Sequence, residues 1–180
     1  IKGTIKKSNI FYQYLNLINK LENSEKDISE NVMIADLVRN DLSITAKRNS
    51  VKVEELCKVF TFNNINQMIS TVTSEICKNL SFDKIISSTF PMGSMTGAPK
   101  IKSMQLIDKF EDFNRGIYSG TIGYIDSKNN FDFNVVIRTI IYDQKDHNLS
   151  FPVGSAITSE SDPSIEYEEC IEKLKSVFVF

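Results

Sequence analysis

Two alternating apolar stretches, residues 116–125 and 131–142, flank the polar tetrapeptide Ser127-Lys128-Asn129-Asn130. Side chains on a strand point to opposite faces with a period of two, so each stretch reads as a strand. A link this short returns the chain only antiparallel, which predicts a hairpin and excludes a purely parallel, doubly wound sheet here. Helical spacing dominates upstream. Apolar positions recur at that spacing over residues 8–22 (Phe11, Tyr14, Leu15, Ile18, Leu21). Asn23 or Ser24 can cap a second helix whose apolar positions are Ile28, Val32, Ala35 and Val38, ending near Arg39-Asn40-Asp41. Residues 1–4 read as the end of a strand; residues 51–53, 59–62 and 67–76 also read as strand. Ser81 caps a short helix ending at Phe90, and Pro99 suits the first turn of a helix through Phe110. Leu149 to Thr158 predicts a third strand. Asp162-Pro163 puts a capping carboxylate and a first-turn proline at the start of a final helix. Helices mixed with antiparallel hairpins give an α+β class.

The 180 residues make one ordinary domain or a large piece of one, and 41% apolar content is enough to bury a core. A net charge of −2 leaves no electrostatic footprint for nucleic acid or a membrane surface. No apolar run reaches membrane-spanning length and no signal peptide is visible. Cys57, Cys77 and Cys170 are isolated and odd in number, which fits reduced thiols in a cytoplasmic protein. The opening Ile1-Lys2-Gly3-Thr4 lacks a methionine, so the chain is expected to begin inside a longer protein.

Three segments could carry chemistry. On the last helix, Glu166, Glu169 and Lys173 stand at i, i+3 and i+7 and share a face. A solvated stripe with a Glu169–Lys173 pair is one reading. A carboxylate pair for a hard cation, with a lysine for an anionic ligand, is the other. The segment Pro91 to Lys100 carries two glycines into a helix start, where backbone N–H groups favour anions; a plain loop before a proline-initiated helix accounts for it equally. Arg138 sits in a mostly apolar run, where it needs an anionic partner or a path to solvent; an anionic ligand and a structural partner such as Asp132 are the two paired readings. His147, the only histidine, falls in a polar turn, so an internal Ser-His-Asp or Cys-His arrangement cannot be built.

Several motifs taken together resemble the chorismate-utilising enzymes. Ile1-Lys2-Gly3-Thr4 is similar to the family's Pro-Ile-x-Gly-Thr. Glu30 with Asp36-Leu37-Val38-Arg39-Asn40-Asp41-Leu42 resembles its Glu-His…Asp-Leu-x-Arg-Asn-Asp-Leu helix. Ser70-Thr71-Val72, Gly97-Ala98-Pro99-Lys100, residues 116–124, Phe131 to Thr139, and Ser161-Asp162-Pro163 to Lys173 follow in the family's order. The resemblance implies an antiparallel β-sandwich flanked by helices, with residues 1–180 as the C-terminal part of a chorismate-binding catalytic domain.

It also implies roles. Glu30 and Glu169, with Glu166 beside them, would hold Mg2+, and the ion would hold the ring carboxylate of chorismate. Tyr118 and Arg138 would take the enolpyruvyl carboxylate, assisted by the backbone at Gly154 and Ser155. Lys173 would balance carboxylate charge, and Ser94 and Thr96 would line the ring pocket. Lys2 stands where the aminodeoxychorismate synthase branch has its nucleophilic lysine and the anthranilate synthases typically have alanine. The implied activity is conversion of chorismate and ammonia to 4-amino-4-deoxychorismate, with ammonia from a glutamine amidotransferase subunit. Anthranilate synthase component I and a non-catalytic chorismate-binding fragment are the alternatives. The departures are Gln67, where the family usually has a catalytic histidine, Asn31 after the metal glutamate, and Ala156 after Ser155. The family's general acid–base glutamate, in a Ser-Pro-Glu motif, is expected upstream of Ile1. Without a histidine at position 67, the enolpyruvyl group is expected to stay on the product.

Overall fold

The computed structural model describes residues 1–159 and 161–175. It divides into two compact units, Ile1–Asp112 and Phe113–Phe180.

The first unit is built on a three-stranded antiparallel sheet. Its strands are β1 (Thr4–Lys6), β2 (Lys52–Thr61) and β3 (Ile65–Thr73), in the order β1-β3-β2. Helices α1 (Phe11–Glu22) and α2 (Glu25–Ser43) connect β1 to β2, and both contact the sheet. Alternation along β3 sends Asn66 and Met68 inward, both fully buried, beside Leu21 of α1 and Ala35 of α2 as the buried centre. Ser24 is the cap of α2: its hydroxyl accepts the Asp27 N–H at 3.3 Å. The helix runs two residues past its expected end at Asp41, because Leu42 and Ser43 include no glycine or proline to stop it. The two strand segments expected at 51–53 and 59–62 are one strand, irregular in register between Val53 and Lys58. Cys57, at φ 52°, sits in that irregularity and donates its N–H to the Ser70 hydroxyl at 2.9 Å.

Three further helices follow: α3 (Phe82–Thr89), the single turn α4 (Gly93–Thr96) and α5 (Lys100–Phe110). The expected loop 91–99 therefore contains a turn of helix. Its first residue is tightly seated: a Cβ on Gly93 would come within 2.8 Å of Leu37 Cδ1 on α2.

Among the described residues, the second unit has two hairpins and a helix. β4 (Thr121–Ile125) pairs with β5 (Phe131–Val135), and β6 (Ile141–Asp143) with β7 (Asn148–Ser150). At the first turn the Asp126 carboxylate accepts the N–H groups of Lys128 (2.7 Å) and Asn130 (2.9 Å), which is why this polar tetrapeptide reverses the chain. Both long strands expected here are shorter. Residues 116–120 form turns, with Gly116 at φ 57° and Ser119 at φ 65°, and residues 136–140 interrupt the second strand, with Arg138 at φ 50°. The strand expected over 149–158 ends at Ser150, two residues before Pro152, which has no N–H to extend a ladder. The last helix, α6 (Pro163–Lys175), starts as its sequence dictates: Asp162 Oδ1 accepts the N–H groups of Ser164 (2.9 Å) and Ile165 (3.1 Å). The α+β class holds, with the antiparallel strands in sheets of three, two and two. Among the described residues, no helix is long and apolar enough to cross a membrane.

Candidate functional site

In the first unit, hydrogen bonds continue the β1–β3 pairing upstream: Lys2 N–H donates to the Met68 carbonyl (3.1 Å) and Met68 N–H to that of Gly3 (3.0 Å). Gly3 adopts φ 91°, a conformation side chains resist, and its Cα packs against Asp27 and Leu21. The Lys2 side chain lies alongside α2, with Nζ 3.3 Å from Glu30 Oε2; the two side chains are 25% and 14% exposed. The sequence-expected nucleophile and the first expected metal ligand are therefore neighbours, although 28 positions separate them.

Asn31, one residue on, is only 3% exposed. Its Nδ2 donates to the carbonyls of Lys2 and Met68, both at 3.1 Å, and its Oδ1 accepts the Ser70 hydroxyl. Lys2, Asn31, Ala35, Val38, Ser70 and Val72 contribute to the wall of a cavity of about 80 Å³ between α2 and β3.

The structure does not bring Gln67 to this place. Ser70 and Met68 share the helix-facing side of β3, so Gln67, at odd register, faces the other way, where its Nε2 lies 3.4 Å from Thr4 Oγ1. Ser94 and Thr96 lie on α4, whose attachment to α2 is reinforced by Lys100 Nζ, 2.6 Å from Asp41 Oδ2. The Thr96 hydroxyl donates within its own turn, to Met92 O at 3.1 Å.

In the second unit six expected residues converge. Lys173 Nζ lies 2.6 Å from Glu169 Oε1 and donates to the Gly154 carbonyl at 2.9 Å. A Cβ on Gly154 would come within 2.8 Å of the Tyr118 hydroxyl oxygen, so that tyrosine rests on bare backbone. Ser155 donates to Glu166 Oε2 and Ser161 to Glu166 Oε1 (3.0 Å), and Glu166 as a residue is 4% exposed. The solvated-stripe reading of α6 thus fails for Glu166 and holds in part for Glu169–Lys173. For Arg138 the strand placement is corrected: it lies in the irregular segment after β5, and of the two alternatives, an anionic partner or a path to solvent, the structure shows the path to solvent, the residue being exposed.

For a divalent ion, Glu30, Glu166 and Glu169 offer oxygen donors, the kind Mg2+ takes. Glu30 belongs to one unit and the other two acids to the second. Within either unit, among the described residues, no three histidine, cysteine, aspartate or glutamate side chains gather as a metal cluster. Each acid has a substitute partner: Lys2 for Glu30, two serines for Glu166, Lys173 for Glu169. Each acid is of the oxygen-donor kind that the ion takes, and binding there would exchange its present partner. Asn31, Ser70 and Ser161 went unassigned by the sequence reading. A signal for Asn31 existed: it stands at i−4 and i−7 from Ala35 and Val38, a polar residue on the apolar stripe of α2, and buried polar groups there are bonded.

Residues 1–179 match the family model described as chorismate binding enzyme. The aminodeoxychorismate synthase of Streptomyces griseus is 40% identical over 173 residues, covering 96% of this chain and 24% of that protein. Aminodeoxychorismate synthase component 1 of Salmonella typhimurium is 36% identical over 177 residues, covering 98% of this chain and 38% of its own length. Among solved structures, anthranilate synthase component I from Streptococcus pneumoniae superposes with a TM-score of 0.80 at 30% identity, over 97% of this chain and 40% of that one. The chain spans about a fifth to a quarter of the length of several of the curated relatives it matches.

Proposed function

This chain belongs to the chorismate binding enzyme family, and we propose that it is the C-terminal part of an aminodeoxychorismate synthase acting on chorismate and ammonia. The observation that carries this reading is Lys2: it occupies the family's variable motif position as a lysine, and its amine is held beside Glu30. The free amine of Lys2 attacks C2 of chorismate, both conjugated ring double bonds shift by one position, and the C4 hydroxyl leaves as water with a proton from a general acid. Ammonia then adds at C4 and loses a proton, both double bonds shift back, and the C2–Lys2 bond breaks to release 4-amino-4-deoxychorismate. An ammonium paired with Glu30 has no lone pair for this attack, so the step requires the Lys2–Glu30 pair to open and the amine to lose its proton.

Glu30, Glu166 and Glu169 are the residues that would hold Mg2+, which when bound neutralises the ring carboxylate of chorismate. Tyr118 and Arg138 take the enolpyruvyl carboxylate, with backbone groups at Gly154 and Ser155; the bare Gly154 backbone under the Tyr118 hydroxyl supports the Tyr118 assignment. Lys173 balances charge on α6, and Ser94 and Thr96 line the ring pocket. The absence of Gln67 from the Lys2 environment supports a product that keeps its enolpyruvyl group, as does the inability of an amide to cycle a proton. A separate glutamine amidotransferase supplies ammonia, a reading supported by the "component 1" name of the Salmonella relative. A cytoplasmic location accompanies this assignment.

The test is product analysis of the intact protein with chorismate, Mg2+ and an ammonium salt. Aminodeoxychorismate is expected. Fluorescent anthranilate would move the assignment to anthranilate synthase, and the absence of any product would favour a non-catalytic chorismate-binding role. Lys2→Ala retaining wild-type turnover would remove the nucleophile.

A further inference from the structure

We propose that Asn31 is a positioning residue for Lys2, holding the backbone that carries the amine beside Glu30; the functional half of this proposal rests on the reading of Lys2 given above. Three hydrogen bonds account for the Asn31 side chain, and they meet at one place. Both Nδ2 protons go to carbonyls, one on Lys2 and one on Met68, and Oδ1 receives the Ser70 hydroxyl proton. The Met68 carbonyl also receives the Lys2 N–H. The amide therefore clamps both strands at the point where Lys2 leaves the sheet, just before the positive-φ turn at Gly3. Its helix neighbour Glu30 meets the other end of the same lysine.

The orientation of the amide is fixed from outside. Ser70 Oγ accepts the Cys57 N–H at 2.9 Å, so its own proton is free to go to Asn31 Oδ1. Two carbonyl acceptors on one side then require an NH2 group, which has two protons to give. An aspartate in this buried place would set a carboxylate oxygen against two carbonyl oxygens. A histidine ring nitrogen has one proton for two acceptors. Asparagine is the side chain of this size that satisfies all three partners, so identity at position 31 is tied to where the Lys2 amine stands.

The experiment uses the intact protein and two variants, Asn31→Ala and Ser70→Ala, with folding checked by circular dichroism. Ser70→Ala leaves the Asn31 donors in place, frees the amide rotation and removes the acceptor of the Cys57 N–H on β2, away from Lys2, so it remains informative where Asn31→Ala fails to fold. The first readout is the rate at which an N-hydroxysuccinimide acetate probe acylates Lys2, measured by peptide mass spectrometry against Lys6 and Lys7 in the same molecules. Lys2 acylation is expected to change by about 2- to 5-fold in Asn31→Ala, the range set by loss of a partly exposed ion pair, and less in Ser70→Ala, with Lys6 and Lys7 unchanged. The second is steady-state kinetics: kcat for aminodeoxychorismate formation is expected to fall with KM for chorismate nearly constant, because Asn31 reaches the amine only through the backbone. Loss of thermal stability with Lys2 acylation unchanged in both variants would make Asn31 merely structural and overturn the proposal. Changed acylation together with wild-type turnover in Lys2→Ala would overturn the nucleophile reading and leave the positioning intact.

Discussion

Replacing Asp41 by alanine should loosen the attachment of α4 and α5 to α2. Asp41 and Lys100 have side chains 8% and 19% exposed, with Nζ and Oδ2 2.6 Å apart. At an effective dielectric of ~20, that separation gives an attraction of about 6 kcal/mol before desolvation is subtracted. Both groups have been taken out of water, so the net worth of the intact pair is far smaller. Breaking a buried pair typically costs ~3–5 kcal/mol, mostly from the partner left behind. Lys100 keeps a path to solvent, and about 2–3 kcal/mol is the loss expected for Asp41→Ala. Lys100→Met preserves the stem and strands a more deeply buried carboxylate, for about 3 kcal/mol. The double variant should lose less than the sum, with a coupling of ~1.5–3 kcal/mol. Urea unfolding followed by far-UV circular dichroism gives all four corners of the cycle; the chain has no tryptophan to report by fluorescence. Because Ser94 and Thr96 sit on the turn this pair reinforces, KM for chorismate should rise in both single variants. Additivity within ~0.3–0.5 kcal/mol would refute the reasoning and reduce the pair to a surface contact.

At Gly3 a methyl group would meet Asp27 Cβ and Leu21 Cδ1 at 3.1 Å in a backbone of φ 91°; Gly3→Ala is expected to cost ~1–3 kcal/mol and to lower chorismate turnover, read by thermal melting and product formation. Arg138, non-glycine at φ 50°, should behave oppositely. Arg138→Gly relieves up to ~1 kcal/mol of strain while raising KM for chorismate at least ~10-fold, and a drop in Tm would count against that account. The Asn130 side-chain amide, then its backbone N–H and that of Lys128, hold the Asp126 carboxyl below its ordinary range. A depressed folded value means stability that is present above the unfolded pKa of ~3.9 and lost as pH falls through the folded one. A carboxyl NMR titration should find the Asp126 midpoint lower than 3.8, and Asn130→Ala should move it up.

What the sequence revealed was local. Ser24 and Asp162 cap the helices they were expected to cap, and the Asp126–Asn130 turn closes the expected hairpin, because each effect acts within a few residues. The breaks at 136–140 and after Ser150 were missed because apolar alternation continues through both, while a positive-φ arginine and a donorless Pro152 stop the ladders. The site was legible as motifs and not as contacts. Nothing in the spacing of Lys2 and Glu30 says that they touch, and only the register Thr4↔Gln67 reveals that Gln67 faces away from them. Arg138 was half legible: the apolar run says that the charge needs a partner or a path to solvent, and the irregular segment 136–140 supplies the path.

The lysine partners of the candidate metal acids carry a consequence for charge balance. Lys2–Glu30 sums to zero, and so does Lys173–Glu169, while Glu166 spreads its charge over two serine hydroxyls. Within each unit the acids thus have protein partners in place of a cation. A dication arriving alone must first displace a lysine from Glu30 or Glu169, and a dicarboxylate arriving alone meets a further carboxylate, Glu166, in the second unit, whereas the two together bring equal and opposite charge. Ion and substrate should therefore strengthen each other's binding, by the same factor in both directions, and calorimetric titration of each in the presence and absence of the other would expose any asymmetry.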